Sequence, residues 1–115
     1  MKYALLLMGR VDDPLCGDDG GPDPEAFFAF DKEITDAGVV VTSFALEDPD
    51  HAVKVDTDAA GERVTTPGPF AEVREFVGGA YIIDVAGLDE AVAWAKKSPG
   101  SLPGGHVEIR PVAPY

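Results

Sequence analysis

The chain has 115 residues, a length that suits one domain, and its 9 basic and 21 acidic residues give a formal net charge of −12. This charge argues against binding to nucleic acids or to anionic membrane surfaces, which both attract basic proteins. A single cysteine excludes an internal disulfide, and no apolar run approaches the roughly 18 residues of a membrane span. The apolar start is short, and Arg10 and Asp12 follow it at once, which favours a first strand over a signal peptide. We therefore expect one acidic domain, residues 1–115, in the cytoplasm.

The first part of the chain predicts a strand, a helix and a second strand. Lys2 to Met8 is apolar enough for a buried strand. The helix begins after Asp23, a good N-cap residue, and ends at Gly38, which is placed for a left-handed C-terminal turn. Its apolar face comprises Phe27, Phe30, Ile34 and Ala37. The β-branched run from Val39 to Ala45 predicts the second strand.

The middle of the chain predicts a hairpin and a rigid bend. His51 to Thr57 and Arg63 to Thr66 both alternate polar and apolar residues, and they flank a plausible loop at residues 58–61. The Pro-Gly-Pro sequence at residues 67–69 should end strand pairing and turn the chain back toward the core, because proline fixes φ and lacks an N–H donor. Phe70 to Phe76 is expected to form a short turn.

The last part predicts a strand, a helix and a final strand. Gly79 to Val85 is the next core strand, and Gly78 and Gly79 allow another backbone to approach closely where it enters the sheet. The following helix carries acidic residues in its first turn and lysines in its last, and its apolar face comprises Leu88, Ala91, Val92 and Ala95. The final strand runs from Gly105 to Pro111. The order β-α-β, hairpin, β-α-β predicts a ferredoxin-like α+β sandwich with an antiparallel sheet and both helices on one face.

The strands are apolar on both faces, which bears on assembly. Tyr3, Leu5 and Leu7 alternate with Ala4, Leu6 and Met8. A half-exposed strand would instead alternate apolar with polar residues. We therefore expect a homodimer in which two sheets pack about a two-fold axis. The alternative is that the hairpin and loops of one chain cover the second face.

Three segments carry a family resemblance. The segments "MKYALLLMG", "TTPGPFAEVREFVGGAYIIDVAGLDEAVAWAKKSP" and "GGHVEIRPV" resemble the DGPF branch of the YCII-related domain family. The resemblance implies the dimeric α/β-barrel form of the ferredoxin-like fold. The family's activity is largely unassigned: some relatives are linked to sigma factors, and others in the wider superfamily are enzymes that act on small organic molecules. Here Pro67 replaces the aspartate of the Asp-Gly-Pro-Phe motif, so no role of that aspartate can be transferred.

The candidate ligand-binding residues lie around the bend and on two strands. They are Phe70, Glu72, Arg74, Tyr81 and Arg110. Arg110 shares a strand face with Glu108, and its planar guanidinium could hold an anionic or carbonyl-bearing ligand. The alternative is an ordinary surface ion pair.

No metal site or cofactor is expected. Neither His51 nor His106 has metal-ligand spacing to a cysteine or another histidine. The acidic segment at residues 12–25 lacks the spacing of an EF-hand loop.

Two functional interpretations stay open. The first is a barrel that binds or transforms a small organic molecule, with catalysis undecided. The second is a non-catalytic dimeric interaction or regulatory module, in the setting of sigma-factor-associated transcription control that the resemblance implies.

Overall fold

The computed structural model describes residues 1–10, 23–68 and 75–114. It contains six strands and two α-helices within these ranges: β1 (Lys2–Arg10), α1 (Pro24–Asp36), β2 (Val40–Ala45), β3 (Val53–Thr57), β4 (Arg63–Pro67), β5 (Glu75–Asp84), α2 (Leu88–Lys97) and β6 (Gly105–Pro111). Single 3₁₀ turns lie at Pro49–His51 and Pro99–Ser101. Neither α-helix of the described part has the length and apolar character needed to cross a bilayer.

Four of the strands form the main sheet. Their order is β2-β5-β1-β6, and every neighbouring pair is antiparallel. The two longest strands, β1 and β5, therefore lie at the centre of the sheet. Each of them is hydrogen-bonded to a neighbouring strand on both sides. The mixed α+β architecture is compatible with the expected ferredoxin-like fold.

The core lies between one face of this sheet and the two helices. The strands contribute Tyr3, Leu5, Ile83 and Val85, while the helices contribute Phe30, Ile34, Ala91 and Ala95. Leu5, Ile34 and Ile83 are at most 1% exposed. Burying an aliphatic side chain of this size stabilises the fold by about 1.5–3 kcal/mol, so these three positions anchor the helix layer on the sheet.

The signals at the ends of α1 act as predicted. The Asp23 side chain accepts a hydrogen bond from the Glu25 amide at 3.0 Å, and Gly38 ends the helical segment with φ +77°. Ala37, however, lies just beyond the helix and is exposed, so it does not belong to the apolar face.

The apolar face of α2 differs from the prediction. Ala91 and Ala95 are buried as expected, but Leu88, the first residue of the helix, is 53% exposed. Trp94, which the periodicity did not select, packs against the core and meets the Phe30 ring edge to face at 6.4 Å.

The hairpin forms, but its first strand begins at Val53 rather than His51, because Pro49–His51 is a 3₁₀ turn. β3 and β4 pair antiparallel as a separate two-stranded sheet, and the Asp58 carboxylate accepts hydrogen bonds from two amides of the connecting loop. The expected end of pairing before Pro67 is wrong by one residue, since Pro67 lies opposite Val53 as the last residue of β4. The missing N–H of a proline is tolerated at such an edge position. Gly68 then makes the bend, and a Cβ there would lie 2.9 Å from the Pro49 carbonyl oxygen.

The predicted start of β5 was too late. The strand begins at Glu75 rather than Gly79, because β1 continues to Arg10 and pairs with it along its whole length. Residues 75 and 76 are therefore strand and not turn, while the rest of the predicted turn, at 70–74, lies outside the described residues. The register between β1 and β5 shifts at Gly78, which is the extra residue of a β-bulge.

Candidate functional site

A cleft opens between α1 and the β2 edge of the sheet. Its volume is about 490 Å³. Its lining residues in the described part of the chain are Leu7, Phe27, Phe28, Asp31, Ser43, Phe44, Ala45, Gly78, Gly79 and Tyr81. We call it the Tyr81 cleft. Its walls are mainly aromatic and aliphatic, and its polar side-chain groups are those of Asp31, Ser43 and Tyr81.

Helix periodicity and strand register bring the polar groups together. Phe27 and Asp31 are four residues apart, so they lie one turn apart on the same side of α1. Ser43 lies directly opposite Tyr81 in the pairing of β2 with β5. Residues opposite each other in an antiparallel pair project to the same face, so both side chains of this pair face α1.

Gly79 forms the base of the cleft, where β5 meets β2. A Cβ at Gly79 would lie 2.7 Å from the Phe44 carbonyl oxygen, a distance that real Cβ atoms do not adopt. The absence of a side chain therefore lets β2 approach β5 closely and leaves the space above the strand open. This is the close backbone approach predicted from the Gly-Gly sequence, although it occurs within β5 rather than at its start.

Tyr81 and Asp31 form the chemical centre of the cleft. The Tyr81 side chain packs edge to face on Phe30, with ring centroids 5.5 Å apart, and its hydroxyl donates a hydrogen bond to Asp31 Oδ1 at 2.8 Å. Burial and the adjacent carboxylate together raise the pKa of the Tyr81 phenol well above its ordinary value. The phenol therefore remains a hydrogen-bond donor across the physiological range. In this pair, the Asp31 carboxylate is the group able to bind a positive charge.

The cleft adjoins a smaller cavity. The second cavity has a volume of about 160 Å³ and shares Leu7, Phe27 and Gly78 with the Tyr81 cleft. Phe76 and Leu102 contribute to its remaining wall. A ligand in the cleft could extend an apolar group past Leu7 in this direction.

The structure does not bring the five predicted site residues together. Phe70, Glu72 and Arg74 lie outside the described residues. Tyr81 lines the cleft, whereas Arg110 does not. Ile109, the neighbour of Arg110, packs against the core, so strand alternation places Arg110 on the opposite face of the sheet. Tyr81 and Arg110 therefore cannot share a pocket within one chain.

The face that carries Arg110 is the one away from the helices. Its apolar centre consists of Ala4, Leu6 and Ile82, which alternate with the core residues of their strands and are neighbours in the pairing of β1 with β5. Glu108 lies opposite Leu6, and Arg110 lies opposite Ala4. We call this surface the open face. Glu108 and Arg110 are exposed on it, as expected for residues on an edge strand.

Sequence reasoning missed Asp31, Ser43 and Phe44. The signal for Asp31 was available, since it is a charged residue at helical spacing from Phe27 and Ile34, on the apolar side of α1. The part played by Ser43 depends on its pairing partner in β5, which no pattern within β2 specifies.

The acidic segment and a metal site are the remaining points of the sequence analysis. Most of the acidic segment, up to residue 22, lies outside the described residues. Among residues 1–10, 23–68 and 75–114, no group of three His, Cys, Asp or Glu side chains is arranged to hold a metal ion.

Comparison with known proteins identifies the family. The YCII-related domain matches residues 1–115, and the chain therefore belongs to the YCII-related domain family. A relative in Rhizobium meliloti (strain 1021), an uncharacterised protein, is 45% identical over 58 residues. The matched region is 50% of this chain and 47% of that protein, so the chain matches about half the length of this curated relative.

Proposed function

We propose that this member of the YCII-related domain family binds a small organic molecule in the Tyr81 cleft. The observation that carries the proposal is an apolar cleft of about 490 Å³ whose few polar side chains converge at Asp31 and Tyr81. Ligand sites in proteins typically have volumes of roughly 300–1,000 Å³, with apolar walls and a small number of orienting polar groups. The apolar body of the ligand lies against Phe27 and over Gly79, and its polar group meets Asp31.

A substitution that fills the cleft tests this proposal. Ser43 is exposed on an edge strand and lines the cleft, so Ser43→Trp should fold and occupy the ligand's space. For fragments that bind the parent in a thermal-shift screen, we expect the variant to lose affinity by about tenfold or more, or about 1.4 kcal/mol. Thr65→Trp, at an exposed strand position of the hairpin, is the control. Equal affinities of the parent and both variants would refute binding in the cleft.

We further propose that the protein is a homodimer in which the open faces of two copies pack together. Leu6 and Ile82 support this arrangement, because no described helix packs on them and an apolar sheet face is a poor surface to leave in water. The DGPF-branch resemblance, which implies a dimeric α/β barrel, agrees with it. In such a dimer, Arg110 lies near the interface between the two sheets, where its candidate role in ligand binding would depend on the second copy.

Light scattering coupled to size-exclusion chromatography tests the dimer. The parent should elute at twice the monomer mass, and Leu6→Glu should elute as a monomer, because a charge at the centre of an apolar interface is strongly unfavourable. Leu88→Glu, at an exposed position on α2, is the matched control and should remain dimeric. A parent that is monomeric at tens of micromolar would overturn the proposal.

The second candidate function is a protein-interaction module. One observation favours it: Val53 and Val55 on the hairpin are 64% and 62% exposed, in a sheet separate from the core. Paired exposed valines on a protruding strand suit contact with another protein. In this case Val55→Lys should abolish partner capture while fragment binding in the cleft remains unchanged, which separates the two functions.

A further inference from the structure

The charge of the Tyr81 cleft is of one sign. Asp31 is its charged residue, and no lysine, arginine or histidine is among its described lining residues. The Asp31 carboxylate accepts a hydrogen bond through Oδ1 from the neutral Tyr81 hydroxyl. Asp31 is exposed, but apolar residues of the cleft lie beside it. They lower the effective dielectric between its carboxylate and a bound cation below the bulk-water value, so the attraction is stronger than in bulk water and is still screened by salt. The cleft therefore favours a positively charged ligand group and disfavours an anion.

The aromatic walls act in the same direction. Phe27, Phe28 and Tyr81 line the cleft, and Phe28 is 74% exposed. The face of an aromatic ring carries negative electrostatic potential and attracts ammonium groups, and rings grouped around such a group form the usual recognition site for organic cations. A carboxylate together with several rings discriminates a cation from a neutral molecule of the same shape more strongly than either feature alone.

The net charge of the chain also favours a positively charged ligand. Its formal net charge of −12 creates a field that raises the local concentration of cations and lowers that of anions. The one sequence-derived candidate for binding an anion, Arg110, lies on the other face of the sheet and cannot neutralise Asp31.

We infer that the ligand of the Tyr81 cleft is an organic cation: an amine or a quaternary ammonium compound with an apolar, aryl-sized body. The cationic group lies between the Asp31 carboxylate and the aromatic side chains. The apolar body lies over Gly79 and extends toward Leu7, where the smaller cavity begins. This inference rests on the proposed function, and it specifies the charge class of the ligand.

Three probes with one apolar body test the charge preference. They are 2-phenylethylammonium, 2-phenylethanol and phenylacetate, which are cationic, neutral and anionic near neutral pH. Titration of the full chain at low salt, followed by amide chemical shifts, should show the ammonium binding about tenfold or more tightly than the alcohol. Phenylacetate should bind most weakly. High salt should reduce the advantage of the ammonium, because exposed charges are screened.

A matched pair of variants on α1 separates a local effect from net charge. Asp31→Asn and Asp36→Asn each remove one negative charge from the same helix, but Asp36 lies outside the cleft and pairs with Lys32 at 2.8 Å. Asp31→Asn should bring the affinities for ammonium and alcohol within about threefold of each other. Asp36→Asn should preserve the parent's preference. Thermal unfolding of both variants confirms that they are folded before titration.

The outcomes distinguish this inference from the proposal beneath it. If the alcohol and the ammonium shift the cleft amides with equal affinity, the cation inference fails and small-molecule binding stands. If both Asn variants lose the preference equally, the effect comes from net charge and the assignment to Asp31 fails. If none of the three probes shifts the cleft amides at about 10 mM, a concentration that reveals even very weak binding, the cation inference fails, whereas the proposed function fails only if a wider fragment library also leaves these amides unshifted.

Discussion

Tyr81 shows how one side chain can serve both stability and function. It is 8% exposed, and its ring belongs to the core while its hydroxyl reaches the edge of the cleft. A buried phenol needs a hydrogen-bond partner, and Asp31 supplies it from the neighbouring helix. The same contact fixes the direction of the Asp31 carboxylate, so the core determines where the cleft carries its charge.

Tyr81→Phe measures how much the Tyr81–Asp31 hydrogen bond contributes to the free energy of unfolding. The ring remains, so packing on Phe30 is kept and only the hydrogen bond to a carboxylate is lost. We expect the free energy of unfolding to fall by about 1–2 kcal/mol in urea denaturation. Tyr3→Phe is the control, because within the described residues the Tyr3 hydroxyl donates only a long hydrogen bond to the Met1 sulfur, at 3.7 Å. An equal fall in the free energy of unfolding in both variants would show that the hydrogen bond to Asp31 does not stabilise the fold.

The raised pKa of Tyr81 predicts a pH dependence with a definite sign. The ordinary value is 10.0, and the value in the folded protein is higher. Above a pH of about 10 the unfolded chain loses the proton while the folded chain keeps it, so the unfolded state is favoured progressively. The stabilisation is present in full below this pH and is lost as the pH rises toward the folded pKa. We expect the stability advantage of the parent over Tyr81→Phe to shrink by about 1 kcal/mol by a pH of about 11. A constant difference between pH 8 and 11, measured by urea denaturation, would contradict the raised pKa.

At the level of elements, β5 organises the site through its two adjacent glycines. Gly78 occupies the bulge against β1, whereas Gly79 lies under the backbone of β2. Because of the bulge, β5 has one more residue than β1 between the pairs Leu7–Gly79 and Met8–Val77. The close approach at Gly79 holds the β2 backbone beside the cleft, with the Ser43 side chain facing it.

The two glycines should respond differently to alanine. In Gly79→Ala the new Cβ meets a β2 carbonyl oxygen at 2.7 Å, so the strands must separate, at a cost of about 1–3 kcal/mol. In Gly78→Ala the nearest atom is the Leu7 carbonyl oxygen at 3.5 Å, an ordinary contact, and the cost should be under about 1 kcal/mol. Guanidinium denaturation of both variants provides the comparison. Equal midpoints would show that β2 is not held by close contact at Gly79.

Local sequence signals predicted the helices and strands themselves better than they predicted how these elements pair and pack with one another. The cap at Asp23, the left-handed Gly38 and the dipole-matched charges of α2 are properties of a few adjacent residues, and the structure contains each of them. The start of β5 was misplaced because a strand's length depends on how far its neighbour continues, and β1 extends to Arg10. Leu88 was assigned to the core because periodicity indicates which side of a helix is apolar, not which residues along that side are buried.

At the level of the whole molecule, the sheet separates two surfaces with different properties. The helix side carries the Tyr81 cleft, and the open face carries Leu6 and Arg110. The sequence predicted that both faces of the strands are apolar, and for β1 and β5 they are. It could not place Tyr81 and Arg110 on opposite sides, because that separation follows from which alternate residues of β5 and β6 meet the helices.

Amide chemical-shift mapping with a library of small organic fragments tests the central claim most directly. The account predicts that fragments bind and that the largest shifts cluster in residues 27–31, 43–45 and 78–81, which surround the Tyr81 cleft. Ser43→Trp should remove these shifts. A library that shifts only the open face or the hairpin, or shifts nothing at millimolar concentration, would contradict ligand binding in the cleft.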